Sequence, residues 1–148
     1  MQDDIDIKIL NQLLSNSRRT TTDISSHLAI SNVATKQRIT KLEKAGVIKG
    51  YTAVVDYTLL GYSTVSYIGI FLEKAKHYTD VITQLNKVPQ IVEAHFTTGN
   101  YSIFAKVIAK DNTHLMAILS DNIQNIDGIA RTETFISLEE GINKAMQI

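Results

Sequence analysis

Cysteine is absent from the 148-residue chain, which excludes a disulfide framework, a thiolate metal site and a cysteine nucleophile. An excess of either charge is missing too. Lys+Arg and Asp+Glu are 15 each, so neither a uniformly basic nucleic-acid coat nor an acidic disordered tail fits. No apolar run approaches the ~20 residues of a membrane-crossing helix, and no membrane partner is expected. The opening Met1-Gln2-Asp3-Asp4 is acidic where a secretory leader would be basic and then apolar, so a cytoplasmic protein is expected. The seven glycines are too scattered to write a dinucleotide fingerprint or a P-loop. His27, His77, His95 and His114 stand far apart, none with a partner at a zinc-helix spacing, so no metal, cofactor or enzymatic role is expected. What is present is a 44% hydrophobic chain that can bury the core of one compact domain or two small ones.

Charge is uneven along this neutral chain. Residues 18–49 carry Arg18, Arg19, Lys36, Arg38, Lys41, Lys44 and Lys49 against Asp23 and Glu43, a local excess of +5 that leaves −5 elsewhere. Such a segment is the electrostatic footprint of a polyanion-binding surface, although a solvated helix face has the same composition. Periodicity sharpens the first reading. Ile9, Leu10, Leu13 and Leu14 form one apolar stripe behind Asp3 and Asp6, predicting a helix over about 3–16 with acids at its positive end. Thr20 or Thr21 can cap a second helix bearing Ile24 and Leu28, with Asp23 placed as in a capping box and an end near Ala29.

Ile30-Ser31-Asn32 then reads as a tight turn into a third helix capped by Ser31, which makes a helix-turn-helix. At 100° per residue Thr35, Ile39 and Leu42 share its inner face, and Val33, Ala34, Gln37, Thr40, Lys41 and Lys44 point away. Lys36 and Arg38 flank the two sides. Short and amide side chains facing outward near the helix start, with cations beside them, fit a major groove. The expected DNA-binding set is Ser31, Asn32, Val33, Lys36, Gln37, Arg38 and Lys41. Lys36, Arg38 and Lys41 are expected on phosphates, and Asn32, Val33 and Gln37 on base edges. The competing reading is an ordinary amphipathic surface helix.

Gly46 can end that helix in a left-handed cap, and the β-branched stretch Val47–Val55 suggests a linker strand before a domain boundary near residue 60. Asp3-x-x-Asp6-x-x-Ile9-Leu10-x-x-Leu13, Asp23-Ile24-Ser25-Ser26-His27-Leu28-Ala29-Ile30-Ser31 and Arg38-Ile39-x-x-Leu42-Glu43-x-x-Gly46-Val47-Ile48-x-Gly50-Tyr51 together resemble the N-terminal half of the Lrp/AsnC (leucine-responsive/asparagine-regulator) transcription factors. The match runs on through Asp56 and Leu60-Gly61. The resemblance implies that helix 31–45 is the recognition helix. Ala29 stands where the family's turn often has Gly, and Ser25 where its second helix often has Ala. A left-handed turn at Ala29 would cost roughly 1 kcal/mol relative to Gly.

From Thr64 the pattern changes. Val65–Leu72 reads as a strand, Val81, Ile82, Leu85 and Val88 as a helical stripe closed by Pro89, and 91–97 and 101–109 as a hairpin. Asp111 can cap a helix bearing Leu115, Ile118, Leu119 and Ile123, Gly128 stops it, and 129–138 supplies a last strand. The order βαββαβ is ferredoxin-like. Tyr67 and Phe71 alternate with Ile68, Ile70 and Leu72, so the face away from the helices is expected to meet a second copy. The resemblance adds tetramers or octamers.

The hairpin turn Thr98-Gly99-Asn100-Tyr101-Ser102 exposes backbone amides beside hydroxyl and amide side chains, as a small-ligand site or a plain turn would. It resembles the family's effector motif Gly-Asp-Tyr-Asp, which implies an amino-acid pocket between dimers. Both acids are replaced, by Asn100 and Ser102, so an α-ammonium group would need an acid from elsewhere, such as Glu93 or Glu133. Weak or absent binding of common amino acids is expected.

The whole reads as an α+β protein. A winged helix-turn-helix domain over 1–60 precedes a ferredoxin-like βαββαβ domain over 61–148. The expected function is a transcriptional regulator of the Lrp/AsnC type that binds double-stranded DNA and itself, as a homodimer or higher oligomer, with an amino-acid-like effector at 98–102. The alternatives are an architectural DNA-binding protein without effector and a small dimeric α/β-barrel enzyme.

Overall fold

The computed structural model describes residues 3–148 and divides into two compact units. One runs to Val54 and includes Gly141–Ile148, and the other is Val55–Glu140.

Three helices build the first unit: α1 (Asp4–Ser15), α2 (Thr21–Leu28) and α3 (Asn32–Lys44). Each begins where a side chain replaces the missing acceptor of the first turn. Asp3 accepts from the backbone N–H of Ile5 and Asp6, and Asp6 reaches back to the N–H of Asp3, a complete capping box. Thr20 and Asp23 form a second box at α2, and Ser31 Oγ accepts from the Ala34 N–H at 3.1 Å to start α3. The helix ends are as local. Ala29 adopts φ 54°, ψ 41°, and the N–H groups of Ala29 and Ile30 donate to the carbonyls of Ser26 and Ser25, a Schellman motif built on alanine. Gly46, at φ 70°, ends α3 in the same way, with Val47 N–H donating to Leu42 O at 3.0 Å. Ile9, Leu10, Ile24 and Leu42 form the core between the three helices.

The expected linker strand does not form within this chain: Val47–Val55 is extended or irregular and pairs with no strand. Its β-branched residues favour extended backbone, but a strand also needs a ladder partner. Tyr51 anchors the segment to α3, its hydroxyl donating to Glu43 Oε1 at 2.9 Å.

The second unit opens with a short 3-10 turn, Tyr57–Leu60, and then runs β1 (Thr64–Leu72), α4 (Tyr78–Leu85), β2 (Ile91–Phe96), β3 (Ile103–Ala109), α5 (Asn112–Ala117) and β4 (Ile129–Ile136). The expected single helix after Asp111 is interrupted: α5 widens at Ile118 into a π-helical stretch, Ile118–Ile123, that still buries Ile118 and Ile123. The sheet is antiparallel with strand order β2-β3-β1-β4. Ile68, Ile70, Ile103 and Val107 point to the helices and pack with Val81, Leu85, Leu115, Ile118 and Ile123. The register puts Tyr67, Gly69 and Phe71 opposite Phe135, Glu133 and Arg131, and Gly69 opposite Phe104, so the other face is aromatic and charged.

Candidate nucleic-acid interface and effector turn

Helix α3 holds Thr35 and Leu42 buried and Ile39 half-buried, as its periodicity requires, and Thr35 Oγ1 donates to Ser31 O at 3.1 Å. Val33 is 67% exposed, and Lys36, Gln37 and Lys41 are exposed with it. One bulky apolar group, an amide and two ammonium groups thus share the solvent side of one helix. Asn32 is exposed but already donates to Thr22 Oγ1 at 3.3 Å, so its amide is partly committed to the start of α2.

Arg38 makes a contact that the sequence did not show. Its Nη1 lies 2.7 Å from Asp3 Oδ2 and 2.7 Å from Asp6 Oδ1, and Asp6 is buried. The two carboxylates raise the guanidinium pKa further, through the hydrogen bond to Asp3 first and Asp6 next. The Asp3 carboxyl is lowered, chiefly by the Asp6 N–H and then by Arg38. Both bonds leave from Nη1, so two acids already offset the charge that Arg38 would bring to a phosphate. The acids were visible in the sequence only as favourable charges at a helix start. Nothing local to either segment showed that Arg38, more than thirty residues on, lands between them. Arg19 is likewise turned inward, hydrogen-bonded to Gln12.

In the second unit the turn 98–102 is closed by its own chain. Thr97 N–H donates to Ser102 O at 3.0 Å, Thr97 Oγ1 to Tyr101 O, and Ser102 N–H to Ile70 O at 2.9 Å. Ser102 Oγ accepts from Leu72 N–H at 3.4 Å, so the hydroxyl that replaces an acid finishes strand pairing. Thr98, Gly99 and Asn100 are exposed. Tyr101 folds over Gly69 and donates its hydroxyl to Glu133 Oε2 at 2.7 Å. That bond, followed by desolvation, raises the Tyr101 pKa above its ordinary 10.0. Arg131 donates to Glu133 Oε1 at 3.0 Å and stacks 3.7 Å from the Phe71 ring centre. Of the two acids named from the sequence, Glu133 reaches the turn, whereas Glu93 pairs in register with Lys106 on the sheet. Among the described residues no group of three or more His, Asp or Glu converges as a metal site.

A helix-turn-helix unit with an exposed, cation-flanked third helix, followed by a βαββαβ domain carrying a polar turn, defines a class: a DNA-binding regulator with an appended ligand-binding domain. The family model described as winged helix-turn-helix DNA-binding matches residues 2–49, and that described as Lrp/AsnC ligand binding domain matches 65–145. The regulatory protein AsnC of Haemophilus influenzae is 39% identical over 140 residues, covering 95% of this chain and 93% of that protein. The solved structure of Escherichia coli AsnC superposes with a TM-score of 0.94 at 34% identity, covering 100% of this chain and 99% of that one. A transcriptional regulator from Neisseria meningitidis, solved in complex with L-methionine, shares the fold with a TM-score of 0.93 at 23% identity and covers 97% of this chain and 94% of that one. The chain belongs to the Lrp/AsnC family of transcriptional regulators.

Proposed function

We propose that this regulator reads duplex DNA with the outer side of α3: Val33 and Gln37 at base edges, Asn32 beside them, and Lys36 and Lys41 on phosphates, with Ser31 capping the helix. Arg38 is left out of the contact set. The carrying observation is the shared exposure of Val33, Lys36, Gln37 and Lys41 on a helix whose opposite side is buried. Phosphate contacts set register and affinity, and base contacts set sequence choice. Working on DNA, the protein acts in the cytoplasm. The aromatic face bearing Tyr67, Phe71, Phe104 and Phe135 supports pairing with a second copy, because apolar surface of that kind is removed from water by association. Tetramers and octamers would extend from that dimer.

The effector is read as an amino-acid-type small molecule at Thr98, Gly99, Asn100, Tyr101 and Ser102. Backbone amides around Gly99 suit its carboxylate, and Glu133, which also holds Tyr101 and Arg131, is the acid that reaches the turn where Asn100 and Ser102 bring no charge for an ammonium group. Footprinting on genomic DNA with and without pooled amino acids tests both halves. Protected sites are expected with or without the pool, and a shift with it would show that Glu133 stands in for the two missing acids. Next, Lys36→Ala and Lys41→Ala should each lower the slope of log affinity against log salt by about 0.9, and Gln37→Ala should narrow the gap between specific and random duplex. Unchanged slopes and an unchanged gap would remove α3 from the interface.

A further inference from the structure

Arg38 is chemically matched to DNA and yet is bonded to the start of α1, its side chain 29% exposed. Both acids that hold it are themselves fixed: Asp3 Oδ1 accepts from Ile5 and Asp6 N–H groups at 3.0 and 2.9 Å, and Asp6 Oδ2 accepts from Asp3 N–H at 3.3 Å. The capping box of α1 therefore presents a rigid pair of carboxylate oxygens, and one nitrogen of α3 meets both at 2.7 Å. The other link between these helices is apolar, Leu42 against Ile9 and Leu10, and apolar packing has no directional preference of its own.

We propose that Arg38, Asp3 and Asp6 are positioning residues that fix the rotation of α3 about its own axis, and so decide which of its side chains reach base edges. This rests on α3 being the reading helix. A side-chain tip ~6 Å from a helix axis moves ~2 Å when the helix turns by ~20°. The useful range of a hydrogen bond is only ~0.5 Å wide. Loss of the clamp therefore costs sequence discrimination before it costs attraction to DNA. The cluster carries two negative charges and one positive, so as a unit it repels phosphate, opposite to what a contact residue would do.

The opposed signs give the test. A duplex selected from a random pool by the unmodified full-length protein is compared with an unselected duplex across a salt series. Asp3→Asn keeps a good capping side chain, Asp6→Asn removes the buried charge, and Arg38→Ala removes the cation. Each is expected to weaken the selected duplex about tenfold, leave the unselected duplex within about twofold, and leave the salt slope unchanged. Arg38→Gln combined with Asp6→Asn, which restores a neutral hydrogen bond, should recover discrimination. If Arg38 instead held a phosphate, Arg38→Ala would lower the slope by about 0.9 and weaken both duplexes alike, while Asp3→Asn and Asp6→Asn would strengthen both. That pattern overturns the proposal, as does wild-type discrimination in all three single variants. Should Asp6→Asn fail to fold, Asp3→Asn carries the same prediction. Gln37→Ala runs alongside: a normal ratio there sinks the reading of α3, whereas a changed ratio there beside normal ratios in the clamp variants sinks only the positioning role.

Discussion

Tyr101 reaches Glu133 at 2.7 Å by lying across Gly69, where an added Cβ would sit 2.4 Å from its ring. The turn between β2 and β3 is thus latched to β4, across β1 in the sheet order, through a gap only glycine leaves open. Gly69→Ala should expel the ring and cost about 1 to 3 kcal/mol in urea unfolding. Glu133→Gln tests the same bond without the clash. The Tyr101 pKa is raised, so its stabilisation is present below about pH 10 and disappears as pH climbs through the folded value. In Glu133→Gln the Tyr101 absorbance transition, identified by its loss in Tyr101→Phe, should move down toward 10, and an unmoved titration would falsify the latch.

Ala29 holds a left-handed φ of 54° because the turn into α3 demands it. Glycine takes that conformation without the Cβ penalty but loses more chain entropy on folding. Ala29→Gly should therefore raise stability by about 0.5 to 1 kcal/mol, read as a higher denaturant midpoint of the helical unit. A lower midpoint would mean that the strain had been relieved elsewhere.

Ser66 sits on the central strand β1 with its hydroxyl fully buried and without a hydrogen-bond partner among the described residues. An unanswered buried hydroxyl costs about 1 to 3 kcal/mol. Ser66→Ala deletes the polar atom and leaves only a small gap, so a gain near 1 kcal/mol is expected. Equilibrium unfolding decides it, and a clear loss would point to a partner for that hydroxyl in the assembled protein.

The Asp3 carboxyl lies below its ordinary 3.8, chiefly through the Asp6 N–H and then Arg38. A depressed acid stabilises the fold above its unfolded pKa, and that contribution is lost as pH falls through the folded value. Acid titration of the helical unit should therefore show a stability decline below about pH 4 that is shallower in Asp3→Asn. Parallel acid limbs in the two proteins would remove Asp3 from the account.

The helices and their caps were legible in the sequence, and for one reason: a cap, a Schellman turn or a helical stripe is settled among residues within about five of one another. Thr20 with Asp23, Ser31 with Ala34, Gly46 and even the left-handed Ala29 needed nothing distant. The βαββαβ order followed from the same kind of local period. Contacts set by chain crossing were not legible. Arg38 read as a phosphate ligand because its helix is basic, and only the packing of α3 against α1 delivered it to Asp3 and Asp6. Glu133 was one of two candidate acids until strand order placed β4 beside β1, and with it Glu133 opposite Gly69 and under Tyr101. Val47–Val55 has the composition of a strand, yet hydrogen-bonded pairing is a property of two segments, and composition describes one. The sequence alone determined which elements exist and what chemistry each carries. The tertiary structure decided which charges are spent inside the protein and which remain for a partner, because that choice depends on distances between residues the chain keeps far apart.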